Sequence, residues 1–295
     1  TVQGRNTTTT INYFKSLNKT GKWIQAGANL NYSMSEKKLR PVFYFTKKWN
    51  SILRPKMFIS VGKKVSQFNE RNPISKFYNT IYSLFLKENY LKIYEKSFSK
   101  ISYSQEVLNG LYISGSLEYA SRKPLSNTSN FVVFGRDIPF QSNNPIDPTN
   151  FTAPFNTHNI ASLNIGTSII FDQKYVSYPN RKINFDNSRY PSLNIIYRKN
   201  FGSNVSEYNS DVLISNIRQN ISMGNLGEFN YNIRSGIFFE KKDIAFMDYL
   251  HANGNQLKLA PSNRNSSFGL LNYYKFSTND KYTEVHLEHN FKGRL

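Results

Sequence analysis

A chain of 295 residues with 38 Lys and Arg against 19 Asp and Glu carries a formal charge of +19, which points to anionic surroundings such as lipid head groups or nucleic acid. The absence of cysteine excludes disulfides, thiolate metal sites and a thiol nucleophile. No apolar run approaches the roughly 18 residues of a helical span. Any crossing of a membrane would therefore be made by strands, and only a closed barrel satisfies their backbone hydrogen bonds in lipid.

The first long element places Ile24, Ala26, Ala28, Leu30, Tyr32 and Met34 opposite Gln25, Gly27, Asn29, Asn31 and Ser33. Side chains alternate between the faces of a strand, so one face is apolar and the other polar along its whole length. Soluble strands usually stop at about 5 to 6 residues, whereas a tilted membrane strand needs about 9 to 11. The length favours a membrane.

The same period returns downstream. Leu111, Ile113, Leu117 and Tyr119 oppose Tyr112, Ser114, Ser116 and Glu118, and Ala161, Leu163, Ile165, Thr167 and Ile169 oppose Ser162, Asn164, Gly166 and Ser168. Phe229, Tyr231, Ile233 and Ile237 oppose Glu228, Asn230, Asn232 and Arg234, and Thr283, Val285, Leu287 and Phe291 oppose Glu284, His286, Glu288 and Asn290. No segment shows the helical period. The pattern predicts an all-β chain, an antiparallel transmembrane β-barrel of roughly ten to twelve strands, with residues 1–295 forming part of one barrel domain.

Composition agrees with that architecture, since 39% hydrophobic residues suit a barrel whose every second side chain meets water, and 23 Phe with 20 Tyr suit interfacial girdles. The cations are spread through turns and strand ends, as at Lys37, Lys38 and Arg40, Lys47 and Lys48, and Lys63 and Lys64. That spread suits outer-membrane lipid with anionic head groups as partner, and it gathers no compact nucleic-acid motif. A soluble basic β protein that binds nucleic acid is the contrasting reading.

Turns are expected at Ser35-Glu36-Lys37, at Asn109-Gly110, whose residues tolerate positive φ, and from Glu240 to Asp243. Pro139, Pro145, Pro148 and Pro154 preclude a paired strand between 139 and 154. Further non-strand stretches are expected from Tyr178 to Pro191 and from Tyr249 to Asn265. Arg136 and Asp137, leading into the Pro-rich loop, are candidates to anchor it by charge-assisted hydrogen bonds, or form an ordinary solvated pair.

Catalytic chemistry finds no support in the motifs: there is no G-x-S-x-G elbow, H-E-x-x-H or phosphate loop. Glu284, His286 and Glu288 share a strand face and are chemically able to hold a divalent ion. They are read instead as a polar ladder facing the lumen, its carboxylates paired to Arg or Lys across the barrel, and with Glu228, Asn230, Asn232 and Arg234 they are the lumen-facing candidates. Asp248 and His251 lack a placed nucleophile, and loop structure explains them. No metal, cofactor or catalytic residue is predicted, and the chain is read as non-enzymatic.

The stretches RDIPFQSNNPID (136–147), KYVSYPNRKINF (174–185), YPSLNIIYRKNFG (190–202), LGEFNYNIRSGIFF (226–239), FMDYLHANGNQ (246–256) and FGLLNYYKFSTNDKYTEVHLEHNFKGRL (268–295) resemble a Bacteroidetes outer-membrane family of unknown function. Its members carry a carboxypeptidase-regulatory-like domain ahead of a large barrel, broadly similar to BamA-type barrels. Ala252 stands where that family pattern leads one to expect an aromatic. The resemblance implies the bacterial outer membrane as location, and an accessory domain and last strands outside this chain. It also implies a role in transport, or in assembly or surface export of outer-membrane proteins, with other outer-membrane proteins as partners. A plugged structural barrel that binds a partner through its loops is the alternative.

Overall fold

The computed structural model describes residues 1–18, 21–133, 139–185, 188–240, 243–257 and 265–293. In chain order its strands are β1 (Asn6–Ser16), β2 (Trp23–Ser33), β3 (Lys38–Lys48), β4 (Lys56–Gln67), β5 (Ile93–Leu108), β6 (Leu111–Pro124), β7 (His158–Ile170), β8 (Tyr175–Tyr178), β9 (Arg181–Asn184), β10 (Ser192–Phe201), β11 (Ser210–Ser222), β12 (Glu228–Phe238), β13 (Leu250–His251), β14 (Ser277–Thr278) and β15 (Lys281–Asn290). One helix, α1 (Lys76–Ile81), runs on into a π-helical turn over Tyr82–Leu86. Among the described residues, no helix is long and apolar enough to cross a membrane.

Eleven strands form one sheet in the order β1-β2-β3-β4-β5-β6-β7-β10-β11-β12-β15, and every pairing in it is antiparallel. Its strands are 10 to 16 residues long. The expected period of two separates its faces. Ile11, Phe43, Val61, Ile101, Leu117, Ile165, Val285 and Leu287 are exposed on the outer face, while Ser60, Glu118, Arg122, Ser162, Asn200, Glu284 and His286 are buried on the inner one. This inverts the usual soluble arrangement, in which apolar side chains are covered and charged ones face solvent.

The ladder ends at β1 and β15, which do not pair with each other, so the sheet is not closed within the described residues. Because each pairing reverses direction, the eleven strands leave β1 and β15 running the same way.

The three longest connections, 68–92, 125–157 and 239–280, gather at one end of the sheet together with the shorter 34–37 and 202–209, and the other end holds the turns at 17–22, 49–55, 109–110 and 223–227 and the segment 171–191 that carries β8 and β9. The described parts of the three longest segments fold back over the inner face. Phe68, Phe155, Ala245 and Met247 pack with Tyr94 of β5, and Ile244 and Leu250 pack with Val212, Ile214 and Phe238 of β11 and β12. At this end the inner face carries apolar patches, covered by protein rather than water, beside buried charged residues such as Arg122 and Glu284. Helix α1 belongs to the same cover, through Ile74, Tyr82 and Leu257.

Two of the expected non-strand stretches contain pairing. Tyr178 to Pro191 includes most of the β8–β9 hairpin, and Tyr249 to Asn265 includes β13, which pairs with β14. Both are too short to show a period. The β3–β4 ladder stops where Val42 faces Gly62. Gly62 holds φ 151°, and a Cβ there would sit 2.3 Å from the Pro41 carbonyl oxygen. Beyond that point Arg40 of β3 reaches β5, its Nε donating to Glu95 Oε2 at 2.9 Å, while its Nη2 donates at 2.6 Å to Glu36 Oε1 in the turn before β3.

Candidate functional site: a charged chamber beneath inserted loops

Because the polar rows of β2 to β7 and β10 all face inward, they enclose a chamber of about 810 Å³, roofed by Glu70, Met247 and Asp248 of the inserted segments. The wall contributes Lys96 and Lys100 from β5, Glu118 and Arg122 from β6, Asn164 from β7 and Arg198 from β10. Register aligns Lys64, Lys96, Arg122 and His158 as successive partners across four strands. Like charges placed directly opposite one another destabilise a ladder. Here they are partly neutralised from within, since Lys96 Nζ lies 2.6 Å from Glu118 Oε1 and Arg122 is paired with Asp248.

Among the described residues, three ion pairs join the inserted segments to the sheet: Asp248 with Arg122, Glu70 Oε1 with Arg198 Nη2 at 2.7 Å, and Arg71 Nη1 with Glu284 Oε1 at 2.7 Å. Further hydrogen bonds reinforce them. Asn69 Nδ2 donates to Asn253 Oδ1 at 2.9 Å, Arg71 Nη2 to the Ser266 carbonyl at 3.0 Å, and Asn232 Nδ2 to the Asn265 carbonyl at 2.6 Å. Lys92 Nζ donates to the Ser142 carbonyl at 2.6 Å, and burial lowers its pKa to about 8.

Burial would raise the Glu70 carboxyl, but the Arg198 guanidinium outweighs it and holds the group below its ordinary value. Glu70 lies deep within the protein while its carboxylate opens onto the chamber, leaving 46% of the side chain accessible. His251 is driven down to about 4, chiefly by burial. Its Nδ1 is 2.7 Å from Ser277 Oγ. Asp248, three residues before it, is occupied by Arg122, so the two do not form an acid–base couple.

The opposite end is also covered. Glu106, fully buried, meets Lys182 of β9 and, at 3.5 Å, Arg54 Nη1. Asn184 Nδ2 donates to the Tyr112 hydroxyl at 2.7 Å, and Arg54 Nη2 to the Lys182 carbonyl at 2.8 Å. These bonds fasten the β8–β9 hairpin across the end of the sheet.

Of the residues singled out from sequence, Asn232, Glu284 and His286 come together beneath the inserted loops, with the His286 ring 4.5 Å from that of Phe268. Arg234 is opposite Glu284 in register but donates to the Tyr282 hydroxyl at 2.6 Å. Asn230 faces Glu288 further along the ladder, and Glu228 pairs with Lys292 at 2.8 Å near the short-turn end. The seven are a row along two strands rather than one cluster. Among the described residues no three His, Asp or Glu side chains converge as a metal-ligand set. Arg136 and Asp137 lie outside the described residues.

Sequence reading missed Glu70, Arg71, Arg122, Arg198 and Glu106. Arg122, Arg198 and Glu106 do occupy inward positions of alternating strands, and that was the available signal. Glu70 and Arg71 sit in a connection without any period.

Residues 1–295 match a family model described as the C-terminal domain of a family of unknown function (DUF5686). No curated protein matches the chain. No solved structure matches it either.

Proposed function

The chain belongs to the DUF5686 family as its C-terminal domain, and from that premise we propose that it is the wall of a bacterial outer-membrane β-barrel acting in transport or in outer-membrane protein assembly and surface export. The observation that carries this reading is the inverted sheet: long strands with an exposed apolar outer face and a buried charged inner one. Lipid is the solvent that suits such an outer face, and water-filled or plugged lumens suit such an interior. The work is done by a wall and a gated interior, without bond-making chemistry. Scattered cations at the strand ends meet anionic head groups.

An unpaired edge is untenable in hydrocarbon, so further strands complete the wall. Since β1 and β15 run the same way, purely antiparallel closure takes an odd number of them and makes the total even, as in bacterial single-chain barrels. The resemblance to Bacteroidetes outer-membrane proteins adds a regulatory-like domain ahead of the barrel and other outer-membrane proteins as partners.

The second reading, a plugged scaffold, draws on covers at both ends, held by ion pairs to Arg122, Arg198, Glu284 and Glu106. Two measurements decide. Full-length protein expressed with its native signal should enter the outer membrane and migrate faster on a gel when unheated. Recovery as a soluble protein without detergent, with salt-dependent retention on DNA, would overturn the barrel in favour of a basic binding protein. In planar bilayers, gated conductance supports transport, and persistent silence supports the scaffold.

A further inference from the structure

The chamber holds more cations than its carboxylates can neutralise. Glu70, Glu118 and Asp248 are each taken by one partner, Arg198, Lys96 and Arg122 respectively. Glu70, Tyr94 and Lys96 also line an adjoining cavity of about 220 Å³ that adds Lys64 and Lys76. Lys64, on the inner face of β4, is within electrostatic reach of Lys76, Lys100 and Glu118. Among the described residues, Lys64, Lys76 and Lys100 have no carboxylate at ion-pair distance, and the Lys64 ammonium lies over the ring of Phe98, 4.9 Å away.

Lys64 and Lys76 line the smaller cavity and Lys100 the chamber beside it; Lys64 is repelled by both, Glu118, opposite Lys100 in register, is already held by Lys96, and the register places Lys64 directly opposite Lys96 as well. The arrangement costs stability unless something anionic fills it. Lysine supplies compact point charges, each with three freely rotating donors, which suits oxyanions approached from several sides. We infer that the chamber and the cavity adjoining it bind a small, multiply charged oxyanion of the polyphosphate or phosphate-ester class across Lys96, which lines both, with Lys64 and Lys76 on one side and Lys100 and Arg122 on the other. The chamber lies on the face opposite the apolar belt, so the free anion is the ligand rather than a lipid head group. The inference deepens the barrel reading by naming the solute class of its interior, and rests on that reading only in treating the anion as cargo.

The test is isothermal titration of full-length protein in detergent with inorganic tripolyphosphate at fixed ionic strength. Saturable binding is expected, weakened about tenfold or more in Lys64→Gln/Lys100→Gln, because each lost ammonium removes a charge-assisted contact. Lys47→Gln/Lys63→Gln, on the outer face, should bind as the parent does. Absence of saturable binding, or an equal loss in both double variants, overturns the site. Gel migration of the unheated protein, read on the same preparations, scores folding and the barrel separately, so the two failures are distinguishable.

Discussion

Arg71 Nη1 lies 2.7 Å from Glu284 Oε1, tying a connection after β4 to the last strand of the sheet. Its neighbour Glu70 reaches the other way, to Arg198 of β10. A dipeptide of opposite charges thus spans the inner face between β10 and β15, passing over β11 and β12. Such pairs fix where a loop docks more than they add net stability, because desolvation offsets most of the Coulomb gain.

Breaking that tie on one side should be costly. In Glu284→Gln the Arg71 guanidinium, whose side chain is 16% exposed, loses its anion while still covered, a change worth about 3–5 kcal/mol when buried pairs are broken. The expected outcome is a lower temperature for loss of the compact gel band and faster proteolysis within 68–92. Arg71→Met/Glu284→Met should recover most of the loss. Equal stability of the single variant and the parent would show that neutral contacts such as Asn69 to Asn253 hold the loops.

Acid should loosen the same cover. His251 has a folded pKa of about 4 against 6.5 for the free side chain. Below pH about 6.5 the unfolded loop takes up a proton that the folded loop refuses, so stability falls with pH until the folded form protonates near 4. Glu70 acts in the same direction at lower pH: its depressed carboxyl favours folding above its ordinary pKa and loses that contribution as pH drops through the depressed value. Opening of 243–257, read as amide exchange divided by the intrinsic exchange rate at each pH, should rise as pH falls from 6.5 to 4. His251→Asn should flatten that rise, and an unchanged pH profile in this variant would remove His251 from the account.

The outer face is tested by Leu287→Arg. Leu287 is 65% exposed between the buried Glu284 and His286 and the half-buried Glu288. An arginine on a lipid-facing position costs about 2–4 kcal/mol at the midplane and about 0–1 near the interfaces. Impaired assembly in outer membranes is expected for Leu287→Arg and for Val285→Arg. Both variants folding there as the parent does would refute the assignment of this face to lipid.

How much of this was legible depends on the period. The two faces of β2, β6, β7, β12 and β15 follow from alternation alone, because each strand carries enough repeats to display it. Exceptions such as Val212 and Ile214 are apolar yet inward, since the inserted loops cover them, and no local pattern announces that cover. Helix α1 is six residues long, less than two turns, and shows no usable helical period. The charged roof, Glu70, Arg71 and Asp248, depends on partners more than a hundred residues distant, which a strand-by-strand reading does not reach. Whether β1 meets β15 is likewise a question of sheet curvature, not of residue pattern.

The β8–β9 hairpin gives the last test. Glu106 is completely buried, and Lys182, at 7% exposure, depends on it for charge balance. Glu106→Gln keeps the shape and removes the anion, leaving Lys182 and Arg54 facing each other across a neutral amide. The hairpin should then lift from the end of the sheet, with faster protease cleavage in its 178–181 turn and, if the interior conducts, a larger open current. Glu106→Leu/Lys182→Met removes both charges and should keep the hairpin closed. If Glu106→Gln stays as protected as the parent, the hydrogen bonds from Asn184 to Tyr112 and from Arg54 to the Lys182 carbonyl suffice to hold the cover, and the buried ion pair serves only to position it.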